Sequence, residues 1–130
     1  MKLSLRSEYA LLTLIHLSRQ SGGETPSAAE IAAAQHIPTE SLAEILSVLI
    51  RSKYVRQVKE NYRLAKSADK ISVAEVIRLF DGALAPLEPV SEKGYNPAPM
   101  EKEEKLSGLF AQIQQQISER LEKTSLADLS

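Results

Sequence analysis

Apolar residues recur with helical spacing along most of this chain. From Ser7 to about Gln20, Tyr9, Ala10, Leu11, Leu12, Leu14, Ile15 and Leu17 cover much of a helical circumference, which predicts a buried first helix ended by Ser21-Gly22-Gly23. Ser27 and Glu30 have the spacing of a reciprocal capping box, so a second, short helix starts there and ends near Ala34-Gln35. After His36-Ile37-Pro38, Leu42, Ile45, Leu46 and Leu49 follow the i, i+3, i+4, i+7 pattern of a third helix and leave Glu40, Ser41, Ala43, Glu44 and Ser47 on its other faces.

The pattern then changes. Tyr54 to Val58 and Tyr62 to Ala65 read as two short strands around a Lys59-Glu60-Asn61 turn, in which Asn61 tolerates positive φ. Ser72 and Glu75 repeat the capping box ahead of Val73, Val76, Ile77 and Phe80, a fourth amphipathic helix closed by Asp81-Gly82. From Ala83 to Pro99, four of the six prolines exclude regular structure. Helical spacing returns from about Met100, where Leu106, Phe110, Ile113, Ile117 and Leu121, with Leu109 beside them, form one narrow apolar seam. A single seam on a long helix packs on its own domain or on a second subunit. The expected architecture is therefore mainly α: a winged helix-turn-helix with a small β-hairpin wing in residues 1–82, a Pro-rich linker or sensor loop in 83–99, and a dimerisation helix with C-terminal tail in 100–130.

Charge sharpens this picture. The net charge of -1 averages two unlike halves: residues 1–66 carry nine Lys/Arg against six Glu, and residues 67–130 carry seven against eleven acids. Within 51–66, Arg51, Lys53, Arg56, Lys59, Arg63 and Lys66 face Glu60 alone, and this basic cluster coincides with the predicted hairpin. A second helix with short polar side chains on its first turn, followed by a basic hairpin, fits insertion into a DNA major groove beside a backbone-contacting wing.

Other chemistries find little support. Zero Cys excludes disulfides, thiolate metal sites and cysteine nucleophiles, and two His, His16 and His36, do not make an all-imidazole site. No Gly-rich phosphate loop or nucleophile elbow is present, so no enzyme and no cofactor is expected. No apolar run is long enough to span a membrane, and Arg6 and Glu8 interrupt any signal-peptide core, which leads us to expect a cytoplasmic protein.

Several segments in order resemble the Rrf-type family of bacterial winged-helix transcription regulators, the IscR/NsrR/CymR group. They are Met1-Lys2-Leu3-Ser4, Glu8-Tyr9-Ala10-Leu11, Ala29-Glu30-Ile31-Ala32, Ile37 through Leu49, Tyr62-Arg63-Leu64-Ala65, Ile71 through Arg78, Asp81-Gly82, Ala85-Pro86 and Ser125-Leu126-Ala127-Asp128-Leu129. The resemblance implies a homodimer with crossing C-terminal helices, two winged helices on a palindromic double-stranded DNA operator, and repression or activation tuned by a signal. Three departures stand out. The loop that carries three cysteines in many members has none here, so no iron-sulfur cluster is expected even though Glu8 sits where some members place an acidic ligand. The wing lacks a glycine-rich tip. Lys53 stands where members place a helix-ending Gly, at a cost of about 1 kcal/mol if left-handed.

Position in the motif nominates Thr39, Glu40, Ser41, Ala43 and Glu44 for the groove, where a glutamate can accept from cytosine N4 and an alanine can touch a thymine methyl. Glu40 reads equally well as a solvated first-turn acid. Ser4, Arg6, Arg51, Arg56, Lys59 and Arg63 are candidate phosphate contacts, with a second reading for Arg63 as cover for the wing. Leu106, Leu109, Phe110, Ile113, Ile117 and Leu121 are the candidate dimer contacts. A small-molecule effector, for which Tyr95 and its loop could shape a pocket, and a protein effector both stay open, as does the alternative of a winged-helix interaction module that no longer binds DNA.

Overall fold

Four serines start four of the helices in the computed structural model, which describes residues 3–20, 23–82 and 102–130. Helix α1, Leu5–Ser18, begins with the Ser4 hydroxyl accepting the Ser7 N–H at 3.1 Å, two residues ahead of the start expected from apolar periodicity. Helix α2, Ala28–Gln35, begins at Ser27. Its box is only half formed: the Ser27 hydroxyl accepts the Glu30 N–H, but the Glu30 carboxylate accepts from that hydroxyl rather than from the Ser27 backbone. Helix α4, Val73–Asp81, has the complete box, with the Glu75 N–H on Ser72 Oγ at 3.1 Å and the Ser72 N–H on Glu75 Oε1 at 2.7 Å.

Helix α3, Thr39–Arg51, follows α2 through His36, Ile37 and Pro38. His36 ends α2 in the left-handed conformation, φ 56°, and the Ile37 N–H closes on the Ala32 carbonyl at 3.0 Å. The end of α3 repeats the device with Lys53 at φ 66°: Tyr54 N–H reaches Leu49 O at 2.9 Å and Lys53 N–H reaches Ile50 O at 3.0 Å, the two bonds of a Schellman turn. Lysine thus keeps the left-handed turn in a conformation that favours glycine.

Strands β1, Val55–Val58, and β2, Asn61–Leu64, pair antiparallel with Arg56 opposite Arg63 and Val58 opposite Asn61. The hairpin is tighter than expected. Asn61 belongs to the strand, the loop is Lys59-Glu60 alone, and the positive φ, 59°, falls on Lys59. Only one loop residue has positive φ, so this is not the Asn-Gly type of turn, which needs two. The Tyr62 N–H donates to Pro26 O at 2.9 Å, tying β2 to the segment before α2.

Helices α1, α2 and α3 meet around Ala10, Leu14, Leu17, Ile31, Leu42, Ile45, Leu46 and Leu49, with Val55, Ile71 and Val76 completing the core. Each large side chain among them stabilises the fold by about 1.5–3 kcal/mol. The four α3 positions predicted from spacing are all buried. In α1, Leu5 and Leu12 instead face outward, 58% and 36% exposed, because Ser7 and Thr13 share the buried stripe.

The chain returns to this core at its end. Helix α6, Leu126–Leu129, is capped by Ser125, and Leu126 is fully buried among core residues. Val73 N–H to Thr124 O, 2.8 Å, and Leu126 N–H to Ile71 O, 2.9 Å, fasten the return. Helix α5, Glu104–Lys123, starts later than Met100 and spans about 30 Å. Leu121 packs on Val73, Ala74 and Ile77, and Arg78 pairs with Glu122. No residue of α5, Leu121 included, is buried. The expectations for residues 83–99, including Tyr95, lie outside the described residues.

Candidate nucleic-acid interface

The buried stripe of α3 fixes what its opposite face presents. Thr39, Glu40, Ala43, Glu44, Ser47 and Arg51 are exposed and Ser41 is half-buried. The first turn carries short or flexible side chains, and Pro38 precedes it with no side-chain cap. Such a surface lets a helix approach base edges closely. Arg51 folds back, its Nε donating to Ser47 O at 3.4 Å.

The wing, which follows α3 in the chain, carries positive charge of its own. Arg56 and Arg63 sit directly across the ladder, both exposed, and Lys59 occupies the exposed tip. Like charges opposite one another are mildly destabilising in a hairpin. Among the described residues neither arginine nor Lys59 has an acidic partner. Three unpaired cations on one short hairpin suit an external polyanion.

At the base of the wing lies a network that sequence spacing did not reveal. The Tyr54 hydroxyl donates to Glu75 Oε2 at 3.0 Å, and Lys66 approaches the same oxygen at 3.9 Å while lying 5.3 Å from the Tyr54 ring centroid. Burial first, then the hydrogen bond and charge of Glu75, push the Tyr54 phenol up to about 12. Glu75 therefore joins both ends of the wing to the start of α4.

The N-terminal candidates converge on the C-terminal end of α4. Ser4 is a helix cap whose own N–H points to Asp81 Oδ2 at 3.5 Å, and Arg6 pairs through Nε with Glu44 Oε1 at 3.4 Å. The Arg6 guanidinium also lies 5.4 Å from the Phe80 ring centroid. Burial works to raise the Asp81 carboxyl, but hydrogen bonding from Ser4 and the Arg6 charge outweigh it and hold the group below its usual range. No local sequence signal joins residues so far apart.

On the α5 seam, Leu106 is 41% and Leu109 50% exposed, and Phe110, Ile113, Ile117 and Leu121 are half-buried. No residue of the seam is buried, and Leu121 at its far end packs against Val73, Ala74 and Ile77 of α4.

The sequence profile of the Rrf2 family, described as an iron-dependent transcriptional regulator, matches residues 3–130. The chain belongs to the Rrf2 family. It is 31% identical over 134 residues to a Mycobacterium tuberculosis protein named as the HTH-type transcriptional regulator Rv1287, covering 100% of this chain and 81% of that one. It is 26% identical over 133 residues to the transcriptional regulator CymR of Bacillus subtilis, covering 100% of this chain and 90% of CymR. The structure of CymR, the global cysteine regulator of that organism, superposes with a TM-score of 0.80 over 99% of this chain and 95% of CymR. The IscR structure from T. potens shares the fold, with a TM-score of 0.74 at 21% identity over 99% of this chain and 85% of that one. This Rrf2 member is a transcriptional regulator, not an enzyme, and its winged-helix fold is that of CymR and IscR.

The iron of the family description does not fit the residues present. The chain has no cysteine, and among the described residues no three His, Asp or Glu side chains come together as a metal site. His16 lies near Gln20 on α1 and His36 ends α2, while Glu8 is exposed in the first turn of α1. Among the described residues no helix is long and apolar enough to cross a membrane.

Proposed function

We propose that this Rrf2-family regulator acts in the cytoplasm as a homodimer that binds a palindromic double-stranded DNA operator without an iron-sulfur cluster. The observation that carries the reading is an exposed α3 face, short or flexible in its first turn, followed by a wing with three cations that have no acidic partner among the described residues. Thr39, Glu40, Ser41 and Ala43 enter the major groove and supply base readout. Arg51, Arg56, Lys59 and Arg63 contact phosphates, with Ser4 and Arg6 at the edge of the same surface. Ala43 meets a thymine methyl where a longer side chain would reach for another base edge.

The Leu106–Ile117 stretch of α5 supports the dimer. Two such seams packed together remove from water apolar surface that a lone protomer leaves open. Two wings related by a twofold axis then face half-sites one helical turn, or multiples of it, apart. Footprinting of the protein on promoter DNA tests this: two equivalent protected segments related by a dyad, bound by two protomers, are the expected result. A stoichiometric protein partner together with an unprotected promoter would instead support the interaction-module reading.

A further inference from the structure

The sequence offers Arg6 and Glu44 as two separate DNA contacts, but the fold makes them one unit. A guanidinium is a planar fork with five N–H donors. Glu44 Oε1 forms an ion pair with its Nε at 3.4 Å, the Phe80 ring centroid lies 5.4 Å from its Cζ, and the terminal Nη groups have no hydrogen-bond partner among the described residues. The side chains of Arg6 and Glu44 remain 51% and 64% exposed, so the unit is open at the surface where α1 meets the recognition helix. A lone carboxylate on a groove-facing helix is repelled by phosphates, whereas a carboxylate bound to an arginine has its charge offset and can serve as a strut.

We propose that Glu44 is a positioning residue that reads no base and holds Arg6 over Phe80, so that the open Nη edge of Arg6 meets a phosphate flanking the major groove. This rests on the DNA-binding reading above and narrows it. Base selection falls to Thr39, Glu40, Ser41 and Ala43, and every effect of Glu44 on binding passes through Arg6.

The test uses the full chain, an operator selected from random-sequence duplexes by the wild type, and fluorescence anisotropy over a range of salt. Glu44→Gln should weaken operator and scrambled duplex by the same factor, about fivefold, and a repeated selection should return the wild-type base preferences. Arg6→Gln should weaken both similarly and make the salt dependence shallower by about one counterion per protomer. In the Arg6→Gln background, Glu44→Gln should have no further effect. Arg6→Lys, which keeps the charge and loses the fork, should recover only part of the affinity. Thermal melts of each variant confirm that folding is retained. A changed base preference in Glu44→Gln, tighter binding by that variant, or an undiminished effect in the Arg6→Gln background would overturn the inference. A wild type that selects no duplex at all would overturn the DNA reading itself, a different and earlier failure.

Discussion

Replacing Glu75 with alanine should loosen the wing from the helix that carries α5. The Glu75 carboxylate takes the Ser72 N–H at 2.7 Å on one oxygen, and the Tyr54 hydroxyl at 3.0 Å and Lys66 at 3.9 Å on the other. The reciprocal half of a capping box is worth about 1 kcal/mol, and a part-buried hydrogen bond to a charged acceptor about 1.5 kcal/mol. The Lys66 pair is exposed on one side and adds under about 0.5 kcal/mol. The three share one acceptor group, so their combined loss is about 2–3 kcal/mol rather than a strict sum. At fixed protein concentration that corresponds to a fall in Tm of roughly 6–15 °C. Denaturant melts of Glu75→Ala, Tyr54→Phe and the double variant form a cycle in which about 1 kcal/mol of coupling is expected. A second readout is ultraviolet titration of tyrosinate in Glu75→Gln, where the Tyr54 phenol should ionise below the value of about 12 that it has in the parent. A raised phenol contributes stability that is fully present below its unfolded value near 10 and is lost as pH rises through the folded value. Loss of under about 0.5 kcal/mol in Glu75→Ala, or a Tyr54 titration unmoved by Glu75→Gln, would refute this account of the junction.

Lys53→Gly should raise stability by up to about 1 kcal/mol, measured by urea melts, because lysine there holds a φ of 66°. Leu126→Ala should cost about 2–5 kcal/mol because it opens a cavity in the main core, whereas Ile113→Asp should leave the winged helix folded and shift sedimentation from dimer to monomer. An Ile113→Asp dimer would remove α5 from the proposed interface. Asp81→Asn should lose a small stability increment at neutral pH and match the parent once acid has protonated Asp81 in both states. The carboxyl sits below its usual range, so its contribution exists above the unfolded value and disappears as pH falls through the folded one.

Periodicity and capping residues made the helical frame legible. Leu42, Ile45, Leu46 and Leu49 named the buried face of α3, and Ser72 with Glu75 marked the start of α4, because these signals act within one or two helical turns. The wing was legible as a basic hairpin, but its tip was not. Asn61 tolerates positive φ better than Lys59, yet the pairing of Val58 with Asn61 leaves only Lys59-Glu60 to make the turn. Ser27 showed the spacing of a full box, while its hydroxyl turns to the Glu30 carboxylate and its backbone neighbours are drawn to β2. The contacts of Arg6 with Glu44 and Phe80, and of Tyr54 with Glu75, bring together residues on different elements, where tertiary packing and not local pattern decides. The burial of Leu126 is of the same kind: a short C-terminal turn signals its own helix but not the core it fills.

The most direct test of the central claim is the affinity of the purified protein for a selected duplex as salt is raised. Each protomer offers Arg51, Arg56, Lys59 and Arg63 on or beside the wing, and Arg6 paired with Glu44 of α3. A dimer that engages most of these should lose affinity steeply, with a log-log slope of roughly -5 to -9, and should prefer the selected duplex over a scrambled one by at least about 1000-fold at physiological salt. Affinity that is flat with salt and equal for the two duplexes would contradict a DNA-binding regulator.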